Sequence, residues 1–373
     1  MTRAHIPHPD LPPPLTSVGI VGWLRQNLFS TPLNTLLTLG AFYLLYRLLP
    51  PMVNWTLLDA DWFGTGREAC SGDGACWVFV QLRFLHFMVG FYPEDQLWRP
   101  VAAFGMAGLL LLYLLLNDLP YKGRVAGFTI LGFPCIAFFL FYGGLFGLPV
   151  VETHQWGGLM LTLILSTVGM LFALPLGTLL ALGRRSSMPV ARTLSVVFIE
   201  LWRGVPLITV LFMSSVLLPL FMPEGIRMDK LLRALIGISL FQSAYMAEVI
   251  RSGLQAVPKG QYEAADALGL SYWKAMLLII LPQAFKTVIP GIVNTFIELF
   301  KDTTLVLIIG LFDLLATVQG SFTDSKWLGF TTEGYIFAGL IYWLFCFSMS
   351  RYSHHLEKKT AYRVLKNDKI EIG

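Results

Sequence analysis

Glu298, Lys301 and Asp302 stand inside a long apolar stretch of a sequence that otherwise keeps its charges between such stretches. Glu298 and Asp302 are four residues apart, so on a helix they share one face with Lys301 beside them. Charge inside a membrane-spanning segment is costly and usually tied to function. Two readings stay open: a structural ion pair within a bundle, or side chains lining a polar path, with Asn294, Thr295 and Thr303 on the same wall. Glu200 and Arg203, three apart and shortly before Pro206, read first as a surface pair on a helix lying at the inner interface. The other reading is a brace for a gate. Glu248 and Arg251 close another apolar stretch and are expected to orient the loop that follows, although snorkelling alone accounts for Arg251.

Other chemistry finds little support. There is no Gly-x-x-x-x-Gly-Lys-Ser/Thr loop, so the chain cannot itself hydrolyse ATP. A membrane enzyme would need a nucleophile with its base or an intramembrane metal cluster, and neither is seen. His86 and His154 stand alone and His354-His355 lies in a basic tail, none at ligand spacing, so no metal is expected. Cys70 and Cys76 bracket a polar Ser-Gly-Asp-Gly-Ala segment and are expected to form a disulfide if their loop faces an oxidising compartment. Cys135 and Cys346 lie in apolar runs, where a thiol behaves as a small hydrophobe.

The elements that hold these residues are long apolar segments. The chain has 373 residues, 55% hydrophobic and only 13% charged, against about 25% charged in a soluble domain. Apolar runs fall at about 33–49, 100–116, 125–148, 157–182, 206–222, 231–250, 287–311 and 335–349. Each is near the roughly 20 residues that cross about 30 Å of hydrocarbon. Backbone groups in lipid must bond internally, so the expectation is an all-α polytopic bundle of about eight helices. Lys122, Arg124, Arg184, Arg185, Arg192, Arg251, Lys259 and Lys274 mark one set of loops as cytoplasmic, and an even span count places both termini there. Trp55, Trp62, Trp77 and Trp98, around the first outer loop, fit interfacial anchoring. The net charge of +4 is too small and dispersed to argue for nucleic acid. The organisation expected is a disordered tail over 1–30, a three-span region with a long outer loop over 31–150, a five-span core over 151–351, and a basic tail over 352–373.

Between the sixth and seventh runs lies Glu263-Ala264-Ala265-Asp266-Ala267-Leu268-Gly269, and nine residues later Ile279-Ile280-Leu281-Pro282. Helix formers up to Leu268 followed by Gly269 predict a short helix with a sharp stop. Ser271 is a plausible N-cap for a second helix, and Pro282 is expected to break that helix before the chain re-enters the membrane. The spacing Glu-Ala-Ala, three residues, Gly, nine residues, Ile-x-Leu-Pro resembles the signature loop of permease subunits of binding-protein-dependent ABC importers.

Three further segments are similar to the polar amino acid branch of that family. They are Phe198-Ile199-Glu200-Leu201-Trp202-Arg203-Gly204-Val205-Pro206-Leu207, the run from Ser243-Ala244-Tyr245 through Ala247, Glu248 and Arg251 to Gly253, and Lys301-Asp302-Thr303-Thr304-Leu305-Val306. Trp202, Val205 and Thr304 depart from the usual pattern. The extra leading spans resemble the general L-amino acid subgroup.

The resemblance implies a type I ABC importer permease core in the C-terminal part, with the loop over 251–283 seated in a groove of an ATP-binding subunit. It implies a dimer of ATP-binding subunits using ATP and Mg, no cofactor bound by this chain, a second permease chain (more readily a different sister than a copy), and a periplasmic amino acid-binding protein. It places the chain in the bacterial inner membrane. A zwitterionic substrate would then find an ammonium acceptor in Asp302 and a carboxylate donor in Lys301 or in backbone amides at a helix break. A gradient-driven secondary amino acid transporter is the rival reading. It has no reason to carry the Glu263–Pro282 spacing.

Overall fold

The computed structural model describes residues 19–116, 119–223 and 228–371, with side chains to 358. Residues 1–18 of the expected tail over 1–30 lie outside the described residues. No strand is present among them; the regular structure is helical.

The chain divides into Met1–Val78 and Phe79–Gly373. In the first unit, α1 (Gly19–Asn27) occupies part of the segment expected to be a disordered tail. A tail of 30 residues is therefore an overestimate: Ile20, Val21, Trp23 and Leu24 give this stretch enough apolar spacing for a short helix. α2 (Pro32–Val53) starts at Thr31, whose hydroxyl accepts from the Asn34 amide at 3.1 Å, with Pro32 at its first position. Pro50 and Pro51 lie inside it, and a π turn follows over Asn54–Leu58. Beyond it Cys70 and Cys76 are joined in a disulfide across six residues of sequence. Closing so short a ring contributes roughly 2 kcal/mol on the loop-entropy estimate. Alkylation of the denatured, unreduced protein is therefore expected to modify two cysteines, Cys135 and Cys346, and reduction to release two more. Labelling of all four without reductant would contradict the pairing.

α3 (Trp77–Val89) crosses the division. It was expected to be part of a long outer loop. Its apolar run of 13 residues is shorter than a membrane span. Phe79 at its start sits among Phe87, Phe322, Trp327 and Phe330, and Arg83 forms an ion pair with Asp324. Burial pushes the His86 imidazole pKa down, so His86 is neutral at pH 7, with Nδ1 3.0 Å from the Gly90 carbonyl.

The second unit continues with α4 (Trp98–Leu115), α5 (Lys122–Gly127), α6 (Phe133–Tyr142), α7 (Gly158–Arg184), α8 (Pro189–Gly204), α9 (Leu207–Leu220), α10 (Lys230–Ala256), α11 (Lys259–Ala267), α12 (Tyr272–Ala275), α13 (Leu281–Asp302), α14 (Leu314–Ser321) and α15 (Thr331–Glu371). The most extensive helix pairing is α7 against α10, followed by α10 against α13. One apolar core joins Ala103 of α4 and Ala137 and Phe141 of α6 to Met160, Leu161 and Leu165 of α7 and to α9 and α10. The boundary expected at 150 is thus not a break in packing, because the leading helices α4 and α6 bury side chains in the same core. α15 runs unbroken to Glu371, so the segment expected as a basic tail over 352–373 is helical through residue 371.

Among the described residues, six helical stretches are long and apolar enough to cross a membrane: Pro32–Leu58, Glu94–Leu115, Lys122–Tyr142, Gly158–Arg184, Tyr272–Ile309 and Thr331–Lys358. α8 and α9, bent by 105° at Gly204–Pro206, bring the number to seven if counted as one broken span. The break has a local cause. Proline disfavours the helical region for the residue before it, and here Val205 is extended at φ −115°, ψ 135°. The sixth expected span, 231–250, falls in α10, which equals α7 in length at 27 residues but is less apolar and is not among the six. Its polar groups are buried in the bundle: Gln242 is 2% exposed and donates from Nε2 to the Thr295 carbonyl on α13 at 2.8 Å.

Candidate functional site

The loop singled out in the sequence folds as a prong. Val257 is extended before Pro258, which ends α10 and starts α11. At the other end the amides of Gly269 and Leu270 donate to the carbonyls of Asp266 and Ala265, at 2.9 and 3.2 Å. That is a Schellman stop, and Gly269 supplies the left-handed residue it requires, at φ +68°. Ala265 is 1% exposed and faces the chain, whereas Glu263, Ala264 and Asp266 face outward. Leu268 is 75% exposed at the tip, with Tyr272 and Trp273 exposed beside it. Ser271 occupies the N-cap position of α12, but its side chain makes no capping bond.

Pro282 does not break the second helix. α12 continues through a π turn over Met276–Ile280 into α13. A proline cannot donate to the carbonyl four residues back and crowds it. The wider π turn just before Pro282 absorbs both effects, as another does over Phe128–Gly132 before Pro134. Leu281 is buried in the core beside Ala284, and Pro282 is exposed.

Two side chains, Tyr262 and Gln283, seat the prong. Tyr262 on α11 donates from its hydroxyl to the Leu254 carbonyl at 2.9 Å and accepts from Arg185 at 3.1 Å, and the Arg185 guanidinium lies 5.6 Å from the ring centroid. Gln283 Nε2 donates to Gln261 Oε1 at 3.0 Å. A cavity of about 440 Å³ opens here, lined by Arg185, Leu254, Val257, Tyr262 and Glu263.

The charged pairs differ from their sequence neighbours. Glu200 pairs with Arg184, at 3.0 Å, not with Arg203. The same Arg184 nitrogen reaches Glu248 at 2.7 Å, and Glu248 also accepts from Arg251, at 2.8 and 2.9 Å. Arg203 instead lies 5.7 Å from the ring centroid of Tyr245, so α8 is held to α10 by a cation–π contact. Gly204 and Pro206 are exposed at the bend. Sequence reasoning placed Arg184 and Arg185 only as loop charges; their run at the end of an apolar segment is the one signal that marked them.

On α13, Asn294, Glu298 and Lys301 are exposed and Asp302 is half-buried. No ion pair joins Glu298, Lys301 and Asp302 among the described residues. Thr295 and Thr303 are 5% and 0% exposed, turned into the chain's own core, with hydroxyls donating to the carbonyls of Gly291 and Phe300 at 2.9 Å.

The sequence model described as "Binding-protein-dependent transport system inner membrane component" matches residues 173–362. The chain belongs to that family. An inner membrane amino-acid ABC transporter permease protein, YhdY of Escherichia coli (strain K12), is 58% identical over 359 residues, 96% of this chain and 98% of the relative. A glutamate/glutamine/aspartate/asparagine transport system permease protein, BztC of Rhodobacter capsulatus, is 42% identical over 414 aligned residues, 93% of this chain and 95% of the relative. A solved amino acid ABC transporter chain is 30% identical and covers 54% of this chain and 92% of its own, with a TM-score of 0.48. As a family member, the chain is an inner-membrane helical bundle of a transport system that works with other components.

Proposed function

We propose that this chain is a permease subunit of an ATP-driven importer of polar L-amino acids delivered by a periplasmic binding protein. The observation that carries the reading is the prong: a helix closed by a Schellman turn at Gly269, presenting Leu268, Tyr272 and Trp273 outward. An exposed apolar tip beside a rigid turn is a docking surface, and a separate nucleotide-hydrolysing subunit is its partner. Counting α10 with the six apolar helices and the bent pair gives an even number of spans, with both termini cytoplasmic. Relatives transporting glutamate, glutamine, aspartate and asparagine support the substrate class. A second permease chain completes the pathway, a different sister rather than a copy.

Within the pathway Asp302 accepts the substrate ammonium and Lys301 donates to its carboxylate, with Glu298 and Asn294 on the same wall. A charge-assisted hydrogen bond contributes about 1.5–3 kcal/mol. Asp302→Asn is therefore expected to lower uptake roughly tenfold or more, by about 1.4 kcal/mol per decade, while substrate binding to the soluble receptor stays unchanged. Uptake equal to wild type would remove Asp302 from the pathway.

The reading itself is tested by reconstituting the purified complex with its binding protein in liposomes. Labelled amino acid should accumulate only with enclosed ATP. Accumulation driven by a sodium or proton gradient without ATP would replace this reading with the secondary-transporter one.

A further inference from the structure

α7 ends in two adjacent arginines whose side chains go to different places. Arg184 bonds Glu200 on α8 and Glu248 on α10 through a single nitrogen, at 3.0 and 2.7 Å. Arg185 bonds and stacks on Tyr262 of α11. The prong and the helix before the 105° bend are thereby tied to the same two residues of backbone. Side-chain exposures of 25% for Arg184, 18% for Glu248, 27% for Arg251 and 55% for Glu200 place this network at the edge of the bundle, with its α8 member the most open. Ion pairs this exposed add little to stability, so the network matters for which helix ends it links rather than for holding the fold.

We propose that Arg184 and Arg185 are positioning residues that transmit displacement of α11 to α8, and through the bend at Val205-Pro206 to α9. This rests on the importer reading and names the route by which its prong moves the membrane helices. A shift of Tyr262 pulls on Arg185, the end of α7 follows, and Glu200 moves with Arg184. The shared nitrogen has a consequence. A lysine ammonium at 184 is also a single donor centre able to meet both carboxylates, whereas glutamine loses the charge.

The test uses the intact transporter in liposomes with its binding protein, scored as amino acid moved per ATP hydrolysed. Arg184→Gln and Glu200→Gln should each lower that ratio at least fivefold while ATP hydrolysis stays within twofold of wild type. Arg184→Lys should restore most of the ratio. The decisive measurement is a double-mutant cycle between Glu200→Gln and Tyr262→Phe. No hydrogen bond or ring contact joins these two among the described residues, so an independent pair should show additive losses. Non-additive losses are expected. Additive losses, or transport and hydrolysis falling in proportion, would overturn the proposal. If Arg184→Gln fails to reach the membrane, the Glu200 and Tyr262 variants still decide it. A wild-type complex without amino acid-stimulated hydrolysis would instead sink the importer reading, which keeps the two failures apart.

Discussion

Gly269→Trp is expected to bring amino acid uptake down to background while the chain still reaches the membrane at its normal level. Two separate quantities produce this result. Gly269 holds φ +68°, a conformation that costs an L-residue about 1–2 kcal/mol. The space around it is open, with no heavy atom within 4 Å of a built Cβ. The strain is thus the whole penalty inside the chain, and it falls on an exposed turn rather than on the core. Gly269→Ala carries that strain alone and should leave uptake within a few-fold of wild type. Tryptophan adds bulk at the surface where the motor subunit seats, and each 1.4 kcal/mol of lost docking removes a further factor of ten. Measuring uptake and membrane level for both variants separates the contributions. Near-normal uptake with Gly269→Trp would show that the turn is not a docking surface.

Gly177→Leu should act in the opposite way and remove the protein itself. Gly177 lies where α7 meets α10, and a Cβ there would come within 2.8 Å of Met246 Cβ and 3.0 Å of the Ala247 backbone nitrogen. The second neighbour is main chain and has no rotamer to yield. Small residues at such crossings let membrane helices approach closely, and close packing is what holds helices together where lipid is as apolar as they are. Overfilling a tight core commonly costs about 1–3 kcal/mol, more where backbone must part. The most extensive helix pairing of the bundle would be forced open, so the variant should show a lowered melting temperature in detergent and a reduced membrane level. Gly105→Leu on α4, with open space around it, is the matched control and should change neither. Equal stability of both variants would mean that the α7–α10 crossing is looser than drawn.

Much of this architecture was visible in the sequence for a physical reason. Bilayer thickness fixes the length of an apolar segment, so seven of the eight expected spans map onto apolar helices or the bent pair. The stop at Gly269 was equally legible, because few residues other than glycine occupy the left-handed region. What the sequence hid depends on distance along the chain. Glu200 and Arg203 are neighbours in sequence, yet Glu200 meets Arg184, and Arg184 meets Glu248, 64 residues away. Local spacing cannot announce such partners. Thr295 and Thr303 read as wall residues because they are polar in an apolar helix; in the fold they are buried and their hydroxyls donate to backbone carbonyls one turn back. Pro282 misled in another way, since a π turn lets a helix pass through a proline that would otherwise end it. α3 escaped because its 13 residues are too few to register as a span.

The central claim is that a separate motor grips the prong formed by α11 and Gly269. A photo-crosslinking amino acid placed at Leu268, the exposed tip, tests it in native membranes that carry the complete transport system. The account predicts one dominant adduct, to a nucleotide-hydrolysing subunit, whose yield changes when ATP is added. Full incorporation of the crosslinker with adducts to lipid alone, with or without ATP, would contradict it.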